Sequence, residues 1–481
     1  MSDAARNDRE VAPWALTAGQ LTNGYREGLF SPTDALAAIR ERADQVNPIV
    51  NAVVAVDWAG AIAAAERSSA RWRAGAALSP LDGIPLTIKD NLFAAGLPAT
   101  WGSAAYRDFT PQDDEPAVAR LRKAGAVIFG KSNAPEFTLQ GYTSNALFGT
   151  TRNPHALTRT PGGSTGGGAA AVAAGIGPLA IGTDGGGSLR RPAAHCGLFA
   201  LKPSIGQIAR SGGFPQILSD FETIGPIARS VEDLIDAFSI MRGYDPRDFR
   251  SLAALAPSSE YPAAPRIGYF PRIGAAPVDP IIAKASDAFA EALAADGAEI
   301  EWIEAPFDLE AIGAAWGAIA SAGLAWHLQR WRHDPASLGA NAAAMAATGA
   351  QRTTAEYLDA LATTNVARVE AAALFERFDM LLCPATAALA WPADEAFPTS
   401  IDGKPAGPRG HAIFTAWMNV AGLAAATVPI AMTSEAGGVG MQFVAATGRD
   451  RDLLRFFRAS RTIRALDPAE LAEGLDRHDE F

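Results

Sequence analysis

The sequence predicts an α/β protein built around one central sheet. Three observations carry this reading. Short, β-prone runs recur along the chain, helical patterns separate them, and such runs lie on both sides of the single stretch that resembles a linker. Residues 10–75 read as helical: Ser31-Pro32-Thr33-Asp34 supplies a capping hydroxyl, a proline at the first helical position and an acid at the third. Leu36, Ile39 and Ala43 follow at helical spacing. Ile84-Pro85-Leu86-Thr87-Ile88, bounded by Gly83 and Asp90, reads as a strand that delivers Lys89 to its end. A helix over 115–124 leads into a buried strand, Ala126-Val127-Ile128-Phe129.

Residues 162–213 are glycine-rich without being repetitive. Gly166-Gly167-Gly168 opens a helix over Ala169 to Ala174, and Leu179-Ala180-Ile181-Gly182 is a strand that enters a turn. Residues 255–265, rich in Ala, Pro and Ser, read as a surface linker. Beyond it, a strand at Arg266-Ile267-Gly268-Tyr269-Phe270, a helix over 279–296 and a strand at Glu299-Ile300-Glu301-Trp302-Ile303 form a β-α-β unit. Residues 308–375 are mainly helical. The last strands are Leu381-Leu382-Cys383, Ala426-Thr427-Val428-Pro429-Ile430 and Met441-Gln442-Phe443-Val444, before a final helix at 450–464. No internal repeat is visible.

With 481 residues, 48% hydrophobic and 19% charged, the composition is that of a globular protein. A net charge of −11 speaks against a broad nucleic-acid or anionic-membrane footprint. Two cysteines, Cys196 and Cys383, build neither a disulfide framework nor a Cys-only zinc site. The polar start, Met1-Ser2-Asp3-Ala4-Ala5-Arg6-Asn7-Asp8, lacks a secretory h-region. The apolar stretch Ala311 to Trp326 falls about one turn short of a bilayer span and reads as a buried helix. These features together predict a cytoplasmic protein.

Two formal motifs fail on context. Gly125-Ala126-Val127-Ile128-Phe129-Gly130-Lys131-Ser132 fits the P-loop pattern, but a strand occupies the space between its glycines and Pro135 obstructs the helix that should follow. Gly162-Gly163-Ser164-Thr165-Gly166 fits the nucleophile elbow of α/β-hydrolases. That reading, an esterase using Ser164, needs an acid and a histidine downstream, and His327, His333 and His411 sit in no recognisable turn context. A combination points elsewhere. Gly182-Thr183-Asp184-Gly185-Gly186-Gly187-Ser188-Leu189-Arg190 follows a strand and presents a serine after three glycines, which let successive N–H groups converge on one point.

Three segments together resemble the amidase signature family. They are Gly83-Ile84-Pro85-Leu86-Thr87-Ile88-Lys89-Asp90-Asn91, Pro161-Gly162-Gly163-Ser164-Thr165-Gly166-Gly167 and Gly182 to Arg190. Gly130-Lys131-Ser132-Asn133-Ala134-Pro135-Glu136-Phe137, Asn145-Ala146-Leu147-Phe148-Gly149, Gly197-Leu198-Phe199-Ala200-Leu201-Lys202-Pro203 and Gly225-Pro226-Ile227-Ala228-Arg229 add to it, and weaker similarity runs from about 10 to 465. The resemblance implies a mixed, twisted central sheet flanked by helices, in a single amidase domain spanning 1–481. The catalytic core would occupy about 75–240, and a variable, mainly helical substrate-side region about 306–375.

By the same resemblance Ser188 is the acyl-enzyme nucleophile, Ser164 the bridging serine after a cis peptide, and Lys89 the base. The backbone N–H groups of Gly185, Gly186, Gly187 and Ser188 would form the oxyanion hole. Thr165, Asp184 and Arg190 would brace the loop, and Thr138, Leu139 and Gln140 would face the substrate. Gly185 stands where the family often has a larger residue, which predicts a looser loop. The chemistry is coherent: with no histidine at these motifs, a neutral lysine is the available proton acceptor, and burial lowers its free pKa of about 10.4. No cofactor and no metal are implied. The partner is a small-molecule amide, with a homodimer left open and neither nucleic acid nor membrane expected.

Two other functions compete with the esterase as alternatives. A non-catalytic adaptor would have lost Lys89, Ser164 or Ser188, and all three are present. The glutaminase-type subunit of a tRNA-dependent amidotransferase holds the glutamine ammonium with an acid seven residues before an Asn-x-Ala-Gly-Leu segment. Here that segment is Asn419-Val420-Ala421-Gly422-Leu423, and the residue is Ala412. Trp316, Trp326, Trp331 and Trp417 are candidate pocket aromatics. An apolar pocket with few charges is therefore expected, acting on neutral amides with apolar or aryl groups, with carbamates and esters as side substrates.

Overall fold

The computed structural model describes residues 12–255, 262, 264–331 and 337–466. The start of the chain, most of the expected linker (256–261 and 263) and His333 lie outside the described residues. Among those described, eleven strands form one mixed sheet. They are β1 (Val53–Val56), β2 (Pro85–Lys89), β3 (Val127–Ser132), β4 (Leu179–Asp184), β5 (Phe199–Lys202), β6 (Thr223–Ala228), β7 (Arg266–Tyr269), β8 (Glu299–Trp302), β9 (Met380–Pro384), β10 (Ala424–Thr433) and β11 (Gly437–Ala445). Their lateral order is β1-β3-β2-β4-β6-β5-β10-β11-β9-β7-β8. Strands β3, β2 and β4 run parallel, as do β9, β7 and β8, and the strands between the two groups pair antiparallel. The sheet therefore holds strands from both sides of the expected linker.

Strands β2, β3, β4, β6 and β9 are buried at every residue, which is why most of them read as continuous apolar runs. Alternate side chains feed opposite layers. Along β9, Met380 and Leu382 join the core that contains Ile88, Ile181 and Phe443, while Leu381 and Cys383 join the one beneath the helix Leu309–Trp331.

Four expectations change. The first 75 residues are not helical throughout: the helices Ala18–Glu27, Pro32–Val50 and Trp58–Arg73 are interrupted by β1, whose β-branched run pairs with β3 at the sheet edge. Ser31 caps the second of these helices as its sequence implies, with both halves of the capping box formed. Strands β5 and β6 go beyond the strands that the sequence predicts. The helix Gly166–Ala173 includes its three glycines instead of starting after them. Finally, the apolar stretch near 311–326 belongs to a 23-residue helix, long enough to span a bilayer by length and composition. Trp316, Ile319 and Leu324 of that helix are buried in the protein, whereas Trp326 and Trp331 are exposed. The helices Ala340–Ala350 and Thr354–Arg377 complete the region expected to be helical.

Candidate active site

Strands β2 and β4 are parallel neighbours, so their C-terminal ends open on the same side of the sheet. This brings together residues that lie far apart in the chain. Lys89, the last residue of β2, is fully buried, and its Nζ donates to Ser164 Oγ at 2.8 Å, to Thr183 Oγ1 at 3.0 Å and to the Thr183 carbonyl at 3.3 Å. Burial pushes its pKa down to about 7, opposed by the nearby carboxylates of Glu222 and Asp184. Ser164 sits just ahead of the helix Gly166–Ala173, and the Gly163–Ser164 peptide bond is cis.

Beyond β4 the chain turns through Gly185, Gly186 and Gly187 to Ser188 and enters the short helix Arg190–His195. Gly187 has φ of 112°, and a Cβ there would collide with Arg191 Nη1 and Thr415 Oγ1, so only glycine fits. The loop is held from inside by Asp184. Its carboxylate accepts Arg190 Nε and Nη2 at 3.0 Å, and the backbone N–H groups of Gly187 at 2.6 Å, Leu189 at 3.1 Å and Gly186 at 3.2 Å. Burial opposes its charge, but the Arg190 guanidinium and these hydrogen bonds hold the carboxyl well below the usual range.

Here the geometry narrows the oxyanion-hole expectation. The N–H groups of Gly186 and Gly187 are spent on Asp184, while those of Gly185 and Ser188 have no acceptor among the described residues. The looser loop expected at Gly185 is not found either. Leu218 fills the space where a Cβ would stand, and Trp316 Nε1 holds the Gly185 carbonyl at 2.7 Å. Thr165 Oγ1, next in the chain to Ser164, donates to the Thr183 carbonyl at 3.0 Å.

Ser188 opens onto a cavity of 240 Å³ that Thr138, Leu139 and Gln140 also line, together with Leu218, Trp316 and Met345. A larger, more open groove of 910 Å³ near Trp391 and Thr433 holds none of these residues, so chemistry and not size selects the site. Trp326, Trp331 and Trp417 do not line the cavity. The expectation of few charges is not met, because Arg191, Arg409 and Glu222 all reach its wall, beside His411. Ala412 lines it as well, at the position where the amidotransferase glutaminase needs an acid.

Sequence reasoning missed Thr183, the second contact of Lys89, and Glu222. The latter is tied to Arg210 at 2.6 Å and to Asn91 Nδ2 at 3.3 Å. Thr183 and Asn91 stand inside the signature segments, whereas Glu222 and Arg409 carry no local signal.

A family model for amidases matches residues 34–454. The chain belongs to the amidase family. Its members hydrolyse amide C–N bonds, and the buried Lys89–Ser164 contact lies within the matched span. Among curated relatives, a glutamyl-tRNA(Gln) amidotransferase subunit from Acidothermus cellulolyticus is 34% identical over 90% of this chain and 94% of its own length. The corresponding protein of Roseiflexus castenholzii is 42% identical over 61% of this chain, and the chain spans 60% of that relative. Among solved structures, a bacterial aryl acylamidase of the amidase signature family superposes with a TM-score of 0.86 at 25% identity, covering 96% of this chain and 98% of its own.

Within this amidase the esterase alternative finds no support. Ser164 Oγ is bonded to Lys89, His327 Nε2 is bonded to Tyr106 Oη at 2.9 Å, and neither ring nitrogen of His411 has a partner among the described residues.

Proposed function

We propose that this amidase works through an acyl-enzyme on Ser188. Ser188 Oγ attacks the amide carbonyl while Ser164 passes its proton to the neutral amine of Lys89. The proton then returns along the same route to the leaving amine as the C–N bond breaks, and water repeats the sequence to release the acid. The Gly185 and Ser188 N–H groups remain as donors for the developing oxyanion. The observation that carries this reading is the 2.8 Å bond from Lys89 Nζ to Ser164 Oγ, made by a lysine whose pKa burial lowers to about 7. Apolar or aryl parts of the substrate would lie against Leu139, Leu218, Trp316 and Met345, with related carbamates and esters as side substrates.

The test is covalent. A fluorophosphonate should add one mass equivalent to the peptide containing Ser188, and Ser188→Ala should abolish both labelling and turnover. Labelling that persists at Ser164 in that variant would overturn the assignment.

The names of the curated relatives favour a second reading, a glutamine-hydrolysing component of an amidotransferase. Ala412 opposes it, as do the two arginines on the wall, because a glutamine ammonium would meet positive charge there. A kcat/KM for glutamine above that for every anilide and apolar amide tested would decide for this second reading.

A further inference from the structure

The wall of the cavity beside Ser188 carries positive charge that no carboxylate among the described residues pairs with. Arg191 is buried, and its guanidinium donates to the carbonyl of Gly186, to Thr415 Oγ1 at 2.9 Å and to the carbonyl of Gly163 at 3.2 Å. Its Nε has no partner among the described residues, and all its acceptors are neutral. Arg409 stands 4.0 Å above the Trp316 ring, and its Nη2 has no partner there either. His411 lines the same wall, 3% exposed and with both ring nitrogens unpartnered; burial and the two arginines keep it neutral at ordinary pH.

The acids nearby are already engaged. Glu222 holds Arg210 at 2.6 Å, and Asp184 holds Arg190 at 3.0 Å. Two guanidiniums therefore face the cavity without counter-ions among the described residues. Burial lowers their pKa values to about 9 for Arg191 and about 10 for the half-buried Arg409, so both stay charged at neutral pH, and an uncompensated charge as buried as that of Arg191 is costly.

We propose that this wall is an anion subsite, and that the amide substrate carries a carboxylate received by Arg409 and Arg191 while its carbonyl lies at Ser188. A planar carboxylate suits the guanidinium fork, and neutral His411 can add one further N–H. The cavity's 240 Å³ suits a compact acid, one whose apolar body rests on Leu218, Trp316 and Met345. The inference rests on the acyl-enzyme reading for the identity of the substrate cavity.

The test compares two competitors that differ in the anion: 3-phenylpropanoate and 3-phenylpropan-1-ol. Each is titrated against fluorophosphonate labelling of Ser188. The half-protecting concentration of the acid should lie at least about tenfold below that of the alcohol. Arg409→Gln should bring that ratio near one, and Arg409→Lys should keep part of it. Each variant is referred to its own unprotected rate, so a change in reactivity does not enter the ratio. A wild-type ratio of one or less, or a ratio unchanged by Arg409→Gln, would overturn the subsite. Should Ser188 fail to label at all, the acyl-enzyme reading falls on its own, and calorimetric binding of the same two compounds reads the ratio without the nucleophile.

Discussion

Adjacent strands β2 and β3 each bury a lysine near their C-terminal ends, and the two surroundings differ in kind. Lys89 donates to two hydroxyls, Ser164 Oγ and Thr183 Oγ1. Lys131 donates to the backbone carbonyls of Asp90 and Leu92. Burial lowers both pKa values, to about 7 for Lys89 and about 8 for Lys131, and Lys202 on β5 falls to about 7 while donating to the Pro203 carbonyl. Desolvation alone therefore does not make a base. A carbonyl offers no proton to the lone pair of a neutral amine, whereas a hydroxyl can reverse its role and donate. What separates the two regions is the partner's chemistry, and this is also why the P-loop-like run around Lys131 ends in a structural lysine.

That contrast can be broken most sharply by mutation. Lys89→Met should cost about 10²–10⁴ in kcat, the range for losing a positioned proton acceptor, and Lys89→Arg should be nearly as damaging because a guanidinium stays protonated. Lys131→Met should leave kcat of the folded fraction within about fivefold of wild type, a change small beside the loss of a general base. Equal losses at the two positions would erase the distinction.

The next effect is on pH. With Lys89 near 7, the neutral amine grows as pH rises, so kcat/KM should climb through a limb centred close to 7 and level off above it. Lys131→Met should leave the limb in place. Thr183→Val, which removes one of the two hydroxyls, should displace it.

The smallest effect is thermodynamic. A buried lysine with a lowered folded pKa binds fewer protons folded than unfolded between about 7 and its ordinary value of 10.5. Its destabilisation is therefore complete below pH 7 and fades toward pH 10.5. The stability gap between Lys89→Met and wild type in urea melts should shift in wild type's favour between about pH 7 and about pH 9.5. A gap that is flat or moves the other way would mean that Lys89 is charged throughout.

How much of this was legible follows from what each segment has to satisfy. Strands such as β2, β4 and β9 show in the sequence because both faces are buried and nearly every residue is apolar or small. Strand β6 hides because Gly225-Pro226 reads as a breaker. Its register tolerates the proline: at Pro226 the strand has a paired neighbour, Ile181, on one side, and its pairing with β5 stops at Ile227. At the site, Lys89, Ser164 and Ser188 were legible because their motifs are local. Of the far wall only Trp316 was among the candidates, since Met345 and the Arg409–His411 segment come from separate stretches and meet it only in three dimensions. The capture of two loop N–H groups by Asp184 was equally hidden, being a matter of where a carboxylate points.

The clamp on the Ser188 loop reaches much further along the chain than the loop itself. Arg190 bonds the Thr415 carbonyl at 3.1 Å, Asn419 Oδ1 at 2.6 Å and Gln442 Oε1 at 3.0 Å, and Asn419 Nδ2 bonds the Asp184 carbonyl at 2.8 Å. During synthesis Ser188 therefore leaves the ribosome more than two hundred residues before the groups that fix its loop, since Asn419 follows Arg190 by 229 positions. A nascent or prematurely terminated chain carries the proposed nucleophile and its Asp184–Arg190 clamp without the Thr415, Asn419 and Gln442 contacts that hold that clamp. Hydrolysis should therefore need the final strands in the sheet, and a fragment ending before residue 415 should be chemically silent toward amides even with all three signature segments intact.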